Sequence, residues 1–338
     1  MRTDATPILA AGTFVVDYHK VLDHYPKERC SAHVQHEQIS NGGAPFNLLL
    51  NLARLGVSFP LHAAAKVGRD LDGKYILECC EKHQIDITQV GAIEGASTGF
   101  TDVFTVARTG QHTCFHSCGI GDTFSRKDVR LKAAKPKILF LGSLGALGKM
   151  DEHNQSYGRT GASQLLREAR KQGITTVVEI APIKRNVTLD DYTDSLKEAD
   201  YLIINDRLTE RLTAEELYTD GHFDPELAVK AARIFLDRGL RKAVIIRASV
   251  WAVYLCADGS IHQQQGFLLP KSQRVGSAGV DHAFCAGFIE GLYHDKPIET
   301  CLTQGLAVVT SCRRNLTPSD GIPPLDECLS FYQSLSGR

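Results

Sequence analysis

From Lys137 onward the chain repeats one pattern, a short apolar run followed by a stretch with apolar residues at helical spacing. The runs Ile138–Leu141, Thr175–Ile180, Tyr201–Ile204 and Ala243–Ile246 are interleaved with helical patterns over Ala162–Lys171 and Glu226–Arg238. Runs this apolar have no polar face to turn to water, so they suit strands buried on both sides. Parallel neighbours cannot be joined by a hairpin, and the intervening helices supply both the crossover and the cover. The expectation is an α/β fold with a mostly parallel central sheet between two helical layers. The last third adds a strand at Val253–Cys256 and helices near Ala283–Tyr293 and Ile298–Ser311.

The first third is less regular. Ile8–Val16 reads as one buried strand whose end delivers Asp17 to the sheet rim, and the polar stretch from Tyr18 to Ser40 is too irregular for a helix. Asn41-Gly42-Gly43-Ala44-Pro45-Phe46-Asn47 is punctuation before a buried helix carrying Leu48, Leu49, Leu52 and Leu55 and stopping at Gly56. A second cycle follows, with a strand at Leu61–Val67, a turn at Gly68-Arg69-Asp70 and a helix over Tyr75–His83. Between Thr98 and Cys118 the period changes to alternation, which suits a hairpin. The segments 18–40 and 98–118 are together expected to form a small β lid inserted in a single domain spanning 1–338.

Within the second segment His112, Cys114, His116 and Cys118 fall on one side of a strand, and by residue type they suggest a soft metal. At a rise of ~3.3 Å per residue they extend over roughly 20 Å and cannot converge on one ion. No metal site is expected there, and the pattern reads as lid packing or a dimer contact.

Composition narrows the partners. The 38 basic and 39 acidic residues are interspersed and sum to a formal charge of −1, so no stripe for nucleic acid is present. The ten cysteines follow no paired framework, and the N-terminal residues lack a charged leader before an apolar stretch, which points to a reduced, cytoplasmic protein. No window reaches the ~18 apolar residues of a membrane span. Two basic pairs, Lys184-Arg185 and Arg313-Arg314, read as solvated faces.

In order and spacing these motifs resemble the ribokinase (PfkB) family of sugar and nucleoside kinases, from about residue 8 to about residue 330. Gly12–Asp17 is similar to the family's first strand, Gly42-Gly43-x-x-x-Asn47 to its GGxxxN motif, and Val67-Gly68-Arg69-Asp70 to its VGxD turn. Ile85-Asp86-Ile87 also fits, Thr98-Gly99 opens a stretch like the family's lid hairpin, and Asp200–Asn205 resembles the strand leading into NxxE. Val275–Phe288 lies without a gap on the pattern VDTTGAGDxFxAGF. The resemblance implies a ribokinase-like three-layer α/β/α fold and transfer of the γ-phosphoryl group of ATP, with Mg²⁺, to the hydroxyl of a small sugar or nucleoside. It also implies a homodimer through the lid.

Carried over position by position, the resemblance makes Asp17, Gly42, Gly43 and Asn47 the substrate side, and Gly279, Val280, Asn205 and Ala248 the nucleotide and phosphate side. The sequence departs from the pattern in three places. The ungapped register puts Gly279-Val280-Asp281-His282 on GAGD, so His282 holds the position of the family's base and Asp281 that of its last glycine. Either His282 or, after a one-residue slip, Asp281 takes the proton. A free carboxylate here would repel a triphosphate by about 4 kcal/mol at ~4 Å and intermediate dielectric. NxxE reads Asn205-Asp206-Arg207-Leu208, and the family's GxxG turn reads Ala248-Ser249-Val250-Trp251. Trp251 is expected to pack, to stack on a base, or to occupy space a nucleotide needs. Two functions follow: a sugar or nucleoside kinase with a non-standard catalytic turn, or a catalytically impaired sugar-binding or regulatory protein on a kinase fold.

Overall fold

The computed structural model describes residues 5–154, 158–181 and 186–336. Lys184 and Arg185 lie outside the described residues. Nine strands form the main sheet: β1 Ile8–Gly12, β4 Leu61–Gly68, β5 Ile85–Ile93, β8 Ile138–Leu144, β9 Thr175–Ile180, β10 Tyr201–Asn205, β11 Ala243–Arg247, β12 Trp251–Cys256 and β13 Ile261–Gln265. Their order is β13-β12-β11-β10-β9-β8-β1-β4-β5. All neighbours are parallel except β12 against β11 and β13 against β12, which close the chain's C-terminal side as a meander.

Period-2 alternation in the central strands divides the core into two layers. Ile8, Ala10, Phe140, Val177, Ile203 and Ile245 point to one face, where α1 (Ala44–Arg54), α2 (Leu71–Lys82), α7 (Val280–Tyr293), α8 (Ile298–Cys312) and α9 (Leu325–Gln333) pack. Leu9, Ala11, Leu141, Val178, Ile204 and Ile246 point to the other, under α3 (Gly161–Lys171), α4 (Asp190–Leu196), α5 (Asp206–Thr213) and α6 (Pro225–Asp237). This is the expected three-layer α/β/α fold. Among the described residues no helix is long and apolar enough to cross a membrane.

A second sheet of four strands stands off the main one: β2 Val15–Leu22, β3 Val34–Gly42, β6 Gly99–Val106 and β7 His112–Ser117, in the order β3-β2-β6-β7. It is the lid expected from the segments 18–40 and 98–118. One expectation is corrected here. Ile8–Val16 is not a single strand: β1 ends at Gly12, and Val15 already belongs to the lid. The break is physical. Gly12 has a φ of +146°, and a Cβ there would meet the Gly142 carbonyl oxygen at 1.9 Å, so only glycine passes from one sheet to the other at this point. Asp17 therefore rides on a lid strand above the rim of the main sheet.

Candidate active site

The ends of β9, β10 and β11, the first turn of α7 and the root of the lid converge on one cleft. Ligand sites in open α/β sheets form at the carboxyl ends of strands, and this cleft sits there.

On the lid side, Asp17 pairs across β2 and β3 with Ser40, next to Asn41 and Gly42. A Cβ on Gly42 would lie 2.0 Å from the Asp17 carboxylate, so the glycine makes room for the acid. Gly43 is the N-cap of α1, whose buried face carries Asn47 and, one turn on, Asn51. The two asparagines enter a directional network. Ser319 Oγ donates to Asn51 Oδ1 at 2.6 Å, and Asn41 Nδ2 donates both to Ser319 Oγ at 2.8 Å and to Asn47 Oδ1 at 2.6 Å. Asn47 Nδ2 is left to face His282 Nδ1 at 3.1 Å. Burial pushes the Asp17 carboxyl up to about 7, against the opposing pull of Thr101 and His282.

On the other side, Gly279 begins α7 with a φ of +73°, and a Cβ there would come within 2.4 Å of Pro318. With no side chain capping this end, the first-turn amides of Val280 and its successors are the unsatisfied donors an anion seeks. Asp281 does not stand free among them. Arg247 Nε donates to its Oδ1 at 2.6 Å, a second guanidinium nitrogen lies 2.5 Å from the same oxygen, and Asn205 Nδ2 donates to Oδ2 at 3.3 Å. Burial raises the Asp281 carboxyl, but Arg247, His282 and Asn205 outweigh it and hold it below the usual range. Arg247 is itself buried; desolvation opposes its charge, and Asp281 with Asp206 more than offsets that. The repulsion expected of a bare carboxylate is thus met by a guanidinium from the end of β11.

His282 sits between the two sides. Its Nε2 lies 3.3 Å from Glu179 Oε2 at the end of β9, and Glu179 Oε1 accepts from Ser143 Oγ at 3.3 Å. Burial disfavours the imidazolium, but Glu179, Asp281 and Asp17 prevail and raise its pKa.

The positions eroded in the sequence are occupied as follows. Asn205 caps α5 by accepting from Leu208 N at 2.9 Å while it also holds Asp281. Leu208 is buried. The two acids nearest to it are committed elsewhere: Asp206 accepts from Tyr218 Oη, and Glu210 accepts from Leu217 N at 2.9 Å. The Asp206 and Glu210 carboxylates of this corner are thus engaged by protein donors, which leaves neither ready to order Mg²⁺, and the amides open to a phosphate lie at the start of α7. Ala248 is buried, and its N–H is spent on Trp251 O at 2.9 Å, closing the turn. Trp251 opens β12 and lies against Phe223, centroids 6.2 Å apart, which is packing. Arg314 stacks over Phe331 at 4.4 Å.

Of the sequence-predicted residues, Asp17, Gly42, Gly43, Asn47, Asn205, Gly279, Val280, Asp281 and His282 come together. Sequence reasoning missed Glu179, Arg247, Asn41 and Ser319. Glu179 and Arg247 carried a legible signal, since each is a lone charge in or ending an apolar strand run, a placement that needs a partner.

The chain matches the pfkB family of carbohydrate kinases over residues 8–317. It is 25% identical to a ribokinase of Haemophilus influenzae over 299 residues, covering 88% of this chain and 89% of the relative. It is 23% identical to a 5-dehydro-2-deoxygluconokinase of Geobacillus thermodenitrificans over 334 residues, covering 97% and 93%. In fold it superposes on the Arabidopsis thaliana ribokinase complexed with ribose and ATP with a TM-score of 0.78 at 19% identity, covering 97% of this chain and 99% of the other. A nucleoside kinase of Methanocaldococcus jannaschii gives a TM-score of 0.73 at 16% identity, covering 97% and 98%. With the family's motif order laid out along one cleft and the match running through nearly the whole sequence, this chain belongs to the pfkB family of carbohydrate kinases.

Proposed function

We propose that this protein transfers the γ-phosphoryl group of ATP to a hydroxyl of a small sugar or nucleoside, with His282 as the proton acceptor. The observation that carries the reading is the 3.1 Å contact between Asn47 Nδ2 and His282 Nδ1, which joins the substrate motif to the catalytic turn. Asp17 and Asn47 orient the acceptor, the α7 N-terminus with Gly279 and Val280 receives the phosphates, and His282 takes the hydroxyl proton. Asp281, committed to Arg247 and Asn205, organises the corner rather than acting as base. Preorganised donors of this kind contribute through charge stabilisation and positioning, which dominate phosphoryl transfer. ATP supplies the phosphoryl group when bound, and any Mg²⁺ would arrive with it rather than on the 205–208 turn.

A second reading, a sugar-binding or regulatory protein without transfer, is favoured by Leu208 in place of the NxxE acid. A thermal-shift screen with Mg²⁺-ATP and a panel of sugars and nucleosides separates the two. A ligand at 100 times its Kd raises stability by about 2.7 kcal/mol. Stabilisation by both ligand classes with ADP release supports the kinase; stabilisation by a sugar alone, with no nucleotide effect, overturns it.

The lid also carries the proposed homodimer. Ile39, Phe100 and Phe115 are exposed on it, with β3 and β7 at its edges, and exposed edges need cover. Phe115→Asp is expected to convert a dimer into a monomer in analytical ultracentrifugation. All ten cysteines are free, which suits a reducing cytoplasm.

A further inference from the structure

The two neighbours of the His282 ring point to which of its nitrogens carries the proton. Asn47 Oδ1 accepts from Asn41 Nδ2 at 2.6 Å, Asn41 Nδ2 also donates to Ser319 Oγ, and Ser319 Oγ donates to Asn51 Oδ1. In this orientation Asn47 turns N–H toward His282 Nδ1, which accepts, and on the other edge of the ring the Glu179 carboxylate, which can only accept, calls for the proton on Nε2. The ring proton of the neutral imidazole is on Nε2, and Nε2 faces Glu179 Oε2 at 3.3 Å. That oxygen is buried and meets no other donor among the described residues, although Ser143 satisfies its sister oxygen. A buried carboxylate oxygen left to a ring N–H alone is poised to gain from a positive charge on that ring.

Resting on the phosphotransfer reading above, we propose that Glu179 is the positioning residue for His282: it holds the Nε2 proton, presents the Nδ1 lone pair to the acceptor hydroxyl beside Asn47 and Asp17, and stabilises the imidazolium that forms. In the step, the acceptor O–H bond breaks and an Nδ1–H bond forms. The oxygen's electron pair makes the new bond to the γ-phosphorus of ATP, and the bond from that phosphorus to the β,γ-bridging oxygen breaks, its pair leaving with ADP. The imidazolium then gives its proton to solvent as product departs. In the resting state Asn47 covers the lone pair, and the hydroxyl displaces that amide when substrate binds. The arrangement has the logic of a carboxylate–histidine pair in which the acid orients the ring and never takes the proton. The charged groups facing the ring are Glu179 from β9, Asp17 from β2 and Asp281 on α7 itself; Arg247 from β11 acts through Asp281, and Cys285, one turn along α7, is pushed well above its usual range.

The test reads the ring directly. Long-range ¹H–¹⁵N imidazole spectra of the full protein, with the His282 signal assigned by its loss in His282→Ala, are expected to show Nε2 protonated and Nδ1 bare. In Glu179→Gln the His282 pKa is expected to fall by one unit or more, and Glu179→Asp, which keeps the charge, should recover part of the shift. In turnover, Glu179→Gln should move the rising limb of kcat/KM to lower pH and lower kcat about 10–100-fold with little change in KM. In the His282→Ala background the same change should do nothing further. An Nδ1-protonated ring, or a folded Glu179→Gln protein with an unshifted His282 titration, would overturn the proposal. A parent protein that titrates as described but never turns over ATP would instead remove the phosphotransfer reading and leave the pairing standing.

Discussion

The two walls of the cleft were built by different routes. On the lid wall Asp17, Gly42, Gly43 and Asn47 come from two short segments near the start of the chain. On the α7 wall Asp281 and His282 are met by side chains from elsewhere in the chain. Arg247 comes from the end of β11 and Glu179 from the end of β9. The first wall is largely set by local spacing, whereas the second draws in partner charges that no local spacing announces. The comparison can be broken by asking whether each wall fails in its own way.

The largest effect is expected at the hinge between the walls. His282→Ala should cut kcat by about 10²–10⁴-fold, the range for losing a general base, while sugar binding by calorimetry changes little. A rate within threefold of the parent would move the base elsewhere and dissolve the assignment of the α7 wall.

Next comes the compensating pair. Arg247→Met leaves the Asp281 carboxylate without its cation, and breaking such a pair typically costs about 3–5 kcal/mol. Asp281→Gly leaves Arg247 buried and unpaired and should cost a similar amount. The double variant, which restores the glycine of the motif and removes the orphaned cation, should recover much of the loss. Urea unfolding of the four proteins measures the coupling. Strict additivity would mean that Arg247 does not compensate for Asp281.

On the lid wall the expected signature is a pH dependence. The Asp17 carboxyl titrates near 7 in the folded protein and near 3.8 when unfolded, so the unfolded chain releases its proton first. The sign follows: the folded state gains relative to the unfolded one below pH 3.8, and that advantage fades as pH rises through 7. A shift of this size is worth on the order of 2–4 kcal/mol after allowing for relaxation. Asp17→Asn should therefore match the parent near pH 4 and exceed it in stability at pH 8, while raising KM for the acceptor. Equal stabilities at pH 8 would place Asp17 in solvent-like surroundings.

Legibility in the sequence divides along the same line. The layers were readable because apolar period and burial agree in every central strand, and the lid because alternation replaces helical spacing between Thr98 and Cys118. The start of α2 at Leu71 was missed because Leu71 is exposed and only Asp70, accepting from Gly73 N, marks the cap. The break after Gly12 was missed because Phe14, Val15 and Val16 continue the apolar run although the chain has changed sheets. In the site, motif positions could be read, but partners could not: Glu179 and His282 are far apart in sequence and meet because β9 ends and α7 begins at the same rim.

The smallest effect tests whether the lid wall is self-sufficient. Ser319 lies beyond the matched family region and belongs to neither motif, yet it receives Asn41 and supports Asn51. Ser319→Ala removes both bonds and leaves Asn51 Oδ1 unsatisfied, at a cost of about 1–2 kcal/mol. Because Asn41 fixes the Asn47 amide, the loss should appear as a several-fold rise in KM for the acceptor with kcat nearly unchanged. Should kcat fall instead and KM hold, the network would be serving His282 more than the substrate, and the two walls would have to be counted as one.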